Sequence, residues 1–529
     1  MSSVIDIDYD VVVAGAGPVG LLLACELQLG GARVLVVERL PEVDETIKAA
    51  AINMPSAVAL DRRGMLPALA EVQERALSGF RGFLKARGGG EATPPPPKFA
   101  GHFAGIMLKA GLFDESDPAF ANIGPAGEVG LVPQAALERL LTERADGLGV
   151  ELRRNVELTG FEAGPDGVTV HTLRTDGSAP QDIRAGWLVG CDGGRSAVRK
   201  LAGFAFPGTA PEITGYQAIV EMTGSEGLKD GWNTTDVGTY VHGPMPGRVL
   251  TVEFDGPPAD RETPVTAEEL QASLRHVSGV DVTVTKVHSV TRFTDNCRQA
   301  TSYRAGRVLL AGDAAHVHSP FGGQGLNLGI GDAMNLGWKL AAEVRGWAPQ
   351  GLLDSYTAER HPIGAWVLDW TRAQIALMRP ESHSRALREV VTDLAETVTG
   401  TTYLVKKISG VWQRYDLPGG HPLTGRSAPD LELSDGRRLA DLLHGGRALL
   451  LDLCDDPKLR ARTEGYGDRL DVVTAACPGR PGLAGLLVRP DGITAWAADD
   501  TDGTVTEHTG DSQDALVDAL ARWCGTPEV

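Results

Sequence analysis

The chain has 529 residues, 42% hydrophobic and 22% charged, with 50 Lys+Arg against 69 Asp+Glu for a formal net charge of −19. This composition suits a globular chain with a large core and room for about three domains. It excludes a mainly disordered protein, and its acidity makes nucleic acid and anionic membrane surfaces poor partners. The six cysteines lie far apart without a CxxC spacing, which points to a reducing cytoplasm with no disulfide framework and no structural metal.

The N-terminus, MSSVIDIDYD, lacks the cationic start of a leader peptide. Residues 11–30 are apolar enough to imitate a membrane span, but their glycines and Glu26 predict a buried strand, a turn and a helix. The strand is YDVVVA (9–14), the turn GAGPVG, and the helix stops at Gly30 and Gly31. A second apolar run ends at Glu38 and completes a βαβ unit. Residues 79–130, with GGG at 88–90 and PPPP at 94–97, predict a long excursion with little regular structure, in which GHFAGIMLKA could hold a strand. A helix is entered after Pro133, and residues 149–177 alternate between DG turns as a β-meander. WLVGCDGGRSAVRKLAG then returns to strand, glycine turn and helix.

Residues 205–300, rich in Thr and Val, predict a sheet assigned to substrate binding, with a hairpin turning at Pro244-Met245-Pro246-Gly247. RVLLAGDAAH (307–316) is a buried strand running into a loop, and helical patterns continue to about residue 410. A separate small α/β unit follows from about 415 to 529.

Three segments carry chemistry. In Gly15-Ala16-Gly17-Pro18-Val19-Gly20 the glycines permit a tight turn and close approach to a pyrophosphate, and the helix N-terminus stabilises its charge. Glu38 stands where an acid would receive a ribose 2′-hydroxyl, which predicts a dinucleotide site without separating FAD from NAD. In Cys191-Asp192-Gly193-Gly194-Arg195-Ser196-Ala197-Val198-Arg199, capping of a helix by Asp192 or Ser196 competes evenly with ligand binding. Gly312-Asp313-Ala314-Ala315-His316, followed by Ser319 to Gly329, is the most specific: Asp313 can hold a ribityl or ribose hydroxyl, and the glycine-rich loop feeds a helix whose N–H groups can face a flavin carbonyl.

In this order and spacing the three segments resemble the signatures of the class A flavoprotein monooxygenases. Within that family the chain looks like the phenol hydroxylase-related, FAD-dependent hydroxylases of aromatic polyketides. GDAAHVHSPFGGQGLNLGIGDAMNLGWKLA, VPQAALERLL, HPLTGR and LLVRPDGITAWAA carry the likeness, which covers nearly the whole chain. It implies an α/β fold: a Rossmann-like FAD-binding domain (1–175, 180–200 and 300–410), an inserted substrate-binding β-sheet domain (205–300, receiving part of 79–130) and a C-terminal thioredoxin-like domain (415–529). Without CxxC, that last domain is expected to be structural.

Carried over residue by residue, Gly15, Gly17, Pro18, Gly20 and Glu38 take the AMP half of FAD, with Arg39 beside it. Gln134 and Asp313 meet the ribityl-phosphate region, Pro320 the flavin face, and Gly325, Leu326 and Asn327 the pyrimidine edge. Asp192 belongs to the segment linked to FAD and to nicotinamide access. Lys48 replaces a family Arg and Pro55 stands where a second Arg is common, so the flavin's resting position is open to change. Asn53, Met54, Phe103, Phe321 and Trp366 are substrate-binding candidates; His102, Tyr216, Tyr240 and His242 are candidates for a general base.

The resemblance implies that NADPH or NADH reduces FAD transiently, and that O₂ then gives a flavin C4a-hydroperoxide that hydroxylates a small polycyclic aromatic polyketide in antibiotic biosynthesis. Baeyer–Villiger insertion, or FAD-dependent dehydrogenation without oxygen insertion, are the alternatives. A flavin-dependent halogenase is disfavoured because no WxWxIP segment is present. A homodimer is compatible with the sequence.

Overall fold

The computed structural model describes residues 7–86, 101–243, 245–260, 263–499 and 510–528. The polyglycine and polyproline runs at 88–90 and 94–97, and Pro244 of the expected hairpin turn, lie outside them.

The first layer is a mixed sheet. β1 (Tyr9–Ala14) lies between β2 (Val34–Glu38) and β8 (Gln181–Gly190), both parallel to it. β5 (Glu151–Arg154) extends the sheet beyond β2, and β17 (Val308–Leu310) beyond β8, again in parallel. β16 (Arg304–Ala305) closes that edge, and β6 (Val156–Ala163) and β7 (Val168–Arg174) fold back antiparallel onto β8. The meander expected over 149–177 is therefore shorter than the alternation suggests. Its first strand, β5, joins the parallel sheet in register with β2, and only β6, β7 and β8 zigzag.

The central strands are buried on both faces, as a parallel sheet sandwiched by helices requires. α1 (Pro18–Leu29) is apolar all round and packs beneath α7 (Gly325–Arg345), so the deceptive stretch 11–30 is core strand and core helix. Among the described residues no helix is long and apolar enough to cross a membrane. Also in this body are α2 (Met54–Asp61), α3 (Leu66–Ala86), α4 (Gln134–Gly147) and α5 (Ala197–Leu201). α3 carries the chain through residue 86, well into the stretch expected to lack regular structure, because its apolar positions from Leu66 to Leu77 repeat at helical spacing. Further along that stretch, β3 (His102–Phe103) and β4 (Ile106–Met107) form a small hairpin inside GHFAGIMLKA.

The second sheet has the order β11 (Gly231–Thr234), β12 (Gly238–His242), β13 (Arg248–Glu253), β10 (Thr214–Thr223), β14 (Thr283–Phe293). α6 (Ala267–Ser278) covers one face, burying Leu270, Leu274 and Val277 against Tyr216, Ala218, Tyr240 and Val249. The other face presents Val241, Leu250 and Val252 to an aromatic cluster shared with the first body. β9 (Gly208–Thr209), β15 (Cys297–Gln299) and β18 (His316–Val317) form a three-stranded connection between the two bodies. α8 (Ser355–Met378), α9 (Ser382–Ala395) and α10 (Val398–Ser409) complete the helical layer.

The C-terminal unit is a four-stranded sheet in the order β20 (Leu470–Thr474), β19 (Ala448–Asp452), β21 (Leu483–Val488), β22 (Thr494–Asp499). β19 and β20 are parallel and the other pairs antiparallel. α11 (Leu439–Leu442), α12 (Pro457–Ala461) and α13 (Gly510–Cys524) flank it. All six cysteines are free.

Candidate active site

The glycine turn after β1 is shaped by contacts that exclude side chains. Gly15 sits at φ +105°, and a Cβ there would stand 2.4 Å from the Cys191 carbonyl oxygen; one on Gly20 would stand 2.0 Å from the Gly15 carbonyl oxygen. Gly17 differs: a Cβ on it would meet nothing within 4 Å, so its open side faces away from the protein. Gly17 is also the N-cap of α1 and supplies no side-chain acceptor, leaving first-turn N–H groups for an anion. Pro18 occupies the first helical turn, where its missing N–H costs nothing.

Glu38, at the end of β2, accepts from the Ala16 N–H (2.7 Å) and the Leu40 N–H (2.8 Å). Its carboxylate therefore braces the turn, and each oxygen keeps a lone pair for a ribose hydroxyl. Arg39 beside it is exposed.

A second uncapped helix converges on the first. α7 begins at Gly325 with no side-chain cap, and Gly312 and Gly329 both pack on Val19 of α1. Asp313 is exposed in the turn after β17, and a Cβ on Gly325 would lie 4.0 Å from its Oδ1. Asp332 fixes this turn from below. It accepts from the Gly312 N–H (3.0 Å), from Arg360 Nε (2.8 Å) and shares a proton contact with His316 Nε2 (2.6 Å).

The segment after β2 bridges the two helix ends. The Gln134 N–H donates to the Ala49 carbonyl (2.9 Å), and the Asn53 N–H donates to Asn327 Oδ1 (2.8 Å), whose Nδ2 donates to the Gly323 carbonyl (2.8 Å). Gln134, Asn53, Gly325, Leu326 and Asn327 thus lie along one track. Lys48 is held by Asp44 at 2.7 Å (i, i+4) and is 37% exposed at the edge of that track. Pro55 has a local reason: Asn53 caps α2, accepting from the Ser56 N–H, and Pro55 follows in the first turn. The turn glycines, the two open helix ends, Glu38 and the exposed Asp313 carboxylate together fit an extended dinucleotide with a central pyrophosphate.

Asp192 makes the capping contacts that its segment offered as the alternative to ligand binding. Its carboxylate accepts from Ser196 Oγ (2.5 Å), the Ala197 N–H (2.7 Å) and the Val198 N–H (3.1 Å), bracing the first turn of α5, whose N-cap Ser196 accepts from the Arg199 N–H (2.9 Å). Arg199 ties this segment to the turn after β17 by donating to the Ala314 carbonyl (2.9 Å), and also donates to the Gly194 carbonyl of its own segment (2.7 Å).

Beyond the flavin loop the structure brings together rings from four elements. Phe321 meets Phe293 of β14 edge-on (5.8 Å) and Trp232 of β11 (6.1 Å); His102 lies 4.4 Å from Trp232, and Phe103 lies 4.5 Å from Trp370 of α8. Gln374 pins the cluster to the loop, accepting from the Ala104 N–H (3.1 Å) and donating to the Phe321 carbonyl (3.3 Å). Trp366 stacks on Trp370 (5.1 Å) but turns toward Trp412 (4.0 Å) and Lys407, at the border with the C-terminal unit. Pro320 is exposed at the start of the loop, and Met54 is half-buried at the head of α2.

Of the four candidate bases only His102 reaches this cluster. Burial, then the positive charges of Arg248 and Arg388, push its imidazole down to about 4, so it is neutral at ordinary pH. Tyr216 and Tyr240 turn to the α6 face instead. Tyr216 donates to Glu269 (2.6 Å) and is pushed up to about 12 by burial and that bond; Tyr240 receives the Lys229 N–H (3.3 Å). His242 shares their strand parity and stands 3.1 Å from Asp230. Strand alternation, which sends adjacent side chains to opposite faces, decides these placements. The sequence reading missed Trp232, Phe293 and Gln374, as well as Arg248, because no local motif surrounds them.

Comparison with known proteins places the chain. The FAD binding domain family matches residues 8–371, and the aromatic-ring hydroxylase C-terminal family matches residues 421–527. The chain is 42% identical over 544 residues to a 12-dehydrotetracycline 5-monooxygenase/anhydrotetracycline 6-monooxygenase of Streptomyces rimosus subsp. rimosus, covering 98% of this chain and 99% of that one. The structure of OxyS anhydrotetracycline hydroxylase from Streptomyces rimosus superposes with a TM-score of 0.82 at 40% identity, covering 98% of this chain and 99% of that one. That of CabE, an aromatic hydroxylase from angucycline biosynthesis, does so with a TM-score of 0.82 at 35% identity, covering 98% and 100%. With its glycine turn, its flavin loop and its C-terminal unit all matched, the chain belongs to the FAD-dependent aromatic-ring hydroxylases and is a flavoprotein monooxygenase.

Proposed function

We propose that this monooxygenase hydroxylates a small polycyclic aromatic polyketide, using the track from Gly15 to Asn327 for FAD and the ring cluster around Phe321 for substrate. The observation that carries the reading is that cluster: His102, Phe103, Trp232, Phe293, Phe321 and Trp370 pack together, tilted or edge-on, on the far side of the flavin loop. Flat rings favour flat ligands and exclude water from the reacting carbon.

Bound FAD, reduced by NAD(P)H, supplies the activation of O₂, with one oxygen atom going to the substrate and the other leaving as water. The protein's part is positional. The α7 N-terminus, with the free N–H groups of Gly325, Leu326 and Asn327, stabilises negative charge at the flavin's pyrimidine edge. Asp313 and Glu38 hold the ribityl and ribose hydroxyls, and Gln374 fixes the loop that carries Phe321. The strand order and pairing of the C-terminal sheet support a thioredoxin-like unit, one with a structural role because no CxxC is present.

The test is turnover of a panel of polycyclic phenols and quinones by the FAD-loaded enzyme with NAD(P)H under ¹⁸O₂. We expect substrate-dependent NAD(P)H consumption and a product that gains one ¹⁸O as a ring hydroxyl. Unlabelled oxidised product would make the enzyme a dehydrogenase, and a ring-expanded ester would make it a Baeyer–Villiger enzyme.

A further inference from the structure

β13 opens with Arg248, whose side chain alternates onto the same face as Leu250 and Val252, the face that meets the aromatic cluster. The same face of β14 docks on the flavin-domain body, where Ser289 Oγ accepts the Ile47 N–H (2.8 Å) and Thr291 Oγ1 donates to the Ile47 carbonyl (3.0 Å). Arg248 therefore lies on the face turned to the aromatic cluster, not to α6.

Its Nε is buried and has no hydrogen-bond partner. Among the described residues it has no ion-pair partner either, and its neighbours on that face, Gln217, Ile219 and Leu250, are uncharged. An unpaired buried donor on a charged group is costly, so such a group is normally matched by something.

The surroundings add positive charge. Arg388 of α9 donates to the Ala104 carbonyl (2.6 Å), beside His102, and both arginines act on the His102 imidazole. His102 Nδ1 accepts from the Gly105 N–H (3.2 Å), which leaves its proton on Nε2 as a donor. The nearest acids on α9 and the β11–β12 turn, Glu389 and Asp236, line an outer cleft of about 510 Å³ with Thr234, Thr235, Arg385 and Arg388, and Asp236 is taken by Arg385 (2.6 Å). His242 and Asp230 belong to the opposite face of the strand. Two guanidinium groups and a neutral imidazole donor thus stand beside the aromatic cluster, and among the described residues Arg248 has no carboxylate partner.

We propose that Arg248, with His102 and Arg388 beside it, forms the polar end of the substrate site and binds an ionised phenol or enol oxygen of the polycyclic ligand. The inference rests on the polycyclic-aromatic reading above. The phenol proton passes to solvent on binding, and the anion accepts hydrogen bonds from Arg248 Nε and His102 Nε2. The oxyanion then pushes electron density into the ring to be hydroxylated, so the site needs no strong general base.

The test uses 1,4-dihydroxyanthraquinone, whose phenolate absorbs beyond the oxidised flavin band, bound to the FAD-loaded enzyme without NAD(P)H. Titration by absorbance should show the bound phenol ionising at least about one unit below the free dye. Arg248→Met should abolish the shift, and Arg248→Lys should keep part of it; unchanged flavin affinity in both variants shows that they fold. A bound dye that ionises at or above the free value, or a shift untouched by Arg248→Met, overturns the assignment while leaving the polycyclic reading intact. Failure of the wild-type enzyme to bind this dye or any other polycyclic phenol overturns both.

Discussion

Two side chains show how far single groups decide this site. Asp313 is exposed beside an open helix end, with its carboxylate free among the described residues. Hydrogen bonds to a charged group are worth about 1.5–3 kcal/mol, so Asp313→Ala should weaken FAD binding roughly 10–100-fold. Flavin-fluorescence titration measures this, and full affinity in the variant would remove Asp313 from the FAD site. His102 makes a pH prediction. Its folded imidazole takes a proton only near pH 4, whereas an unfolded one does so near 6.5, so the unfolded state binds the extra proton between those values. Stability from this group is complete above about pH 6.5 and falls toward pH 4, by about 3 kcal/mol. His102→Phe should flatten that acid limb in urea unfolding at a series of pH values; an identical limb in the variant would place the titration elsewhere.

At the scale of elements, the glycine turn separates fold from function. Gly20→Ala drives a Cβ to 2.0 Å from the Gly15 carbonyl oxygen and should destabilise the protein even without flavin. Gly17→Ala meets no protein atom within 4 Å, so the flavin-free protein should melt unchanged while FAD affinity drops. Equal FAD affinity in Gly17→Ala would show that the pyrophosphate lies elsewhere. These elements were legible in the sequence because strand, glycine turn, helix and acid follow one another within 30 residues, from Tyr9 to Glu38, and because the loop from Gly312 to Gly329 is contiguous. What was not legible depends on partners far along the chain. Asp192 is chemically fit both to cap a helix and to bind a ligand, and its capping contacts appear only once Ser196 and Ala197 are placed. In RVLTVE, apolar residues fall on both parities, so nothing local says which face carries Arg248; α6, which buries Val249 on the other side, decides it. Likewise β5 reads as part of a meander until β2 offers it a parallel edge.

The whole molecule is held together by buried arginines. Arg63, at the end of α2, pairs with Glu26 of α1 through two bonds (2.7 and 2.6 Å) and also donates to the carbonyls of Leu443 and Pro490 in the C-terminal unit. Arg62 donates to the carbonyls of Gly492 and Ala428, Arg438 reaches back to Asp61, and Arg489 pairs with Glu359 of α8. Removing one partner of such a pair strands the other, so Arg63→Met should cost about 3–5 kcal/mol. Chemical denaturation checks this, and a loss below about 1 kcal/mol would show that Glu26 finds another partner or a proton. The helix that begins at the Asn53 cap beside the flavin loop ends in the two arginines that grip the C-terminal sheet. A hybrid made by exchanging C-terminal units between related hydroxylases at a junction near residue 415 would therefore pair one parent's α2 with the other parent's carbonyls. Recombination should succeed only when residues 53–63 travel with the unit they clasp.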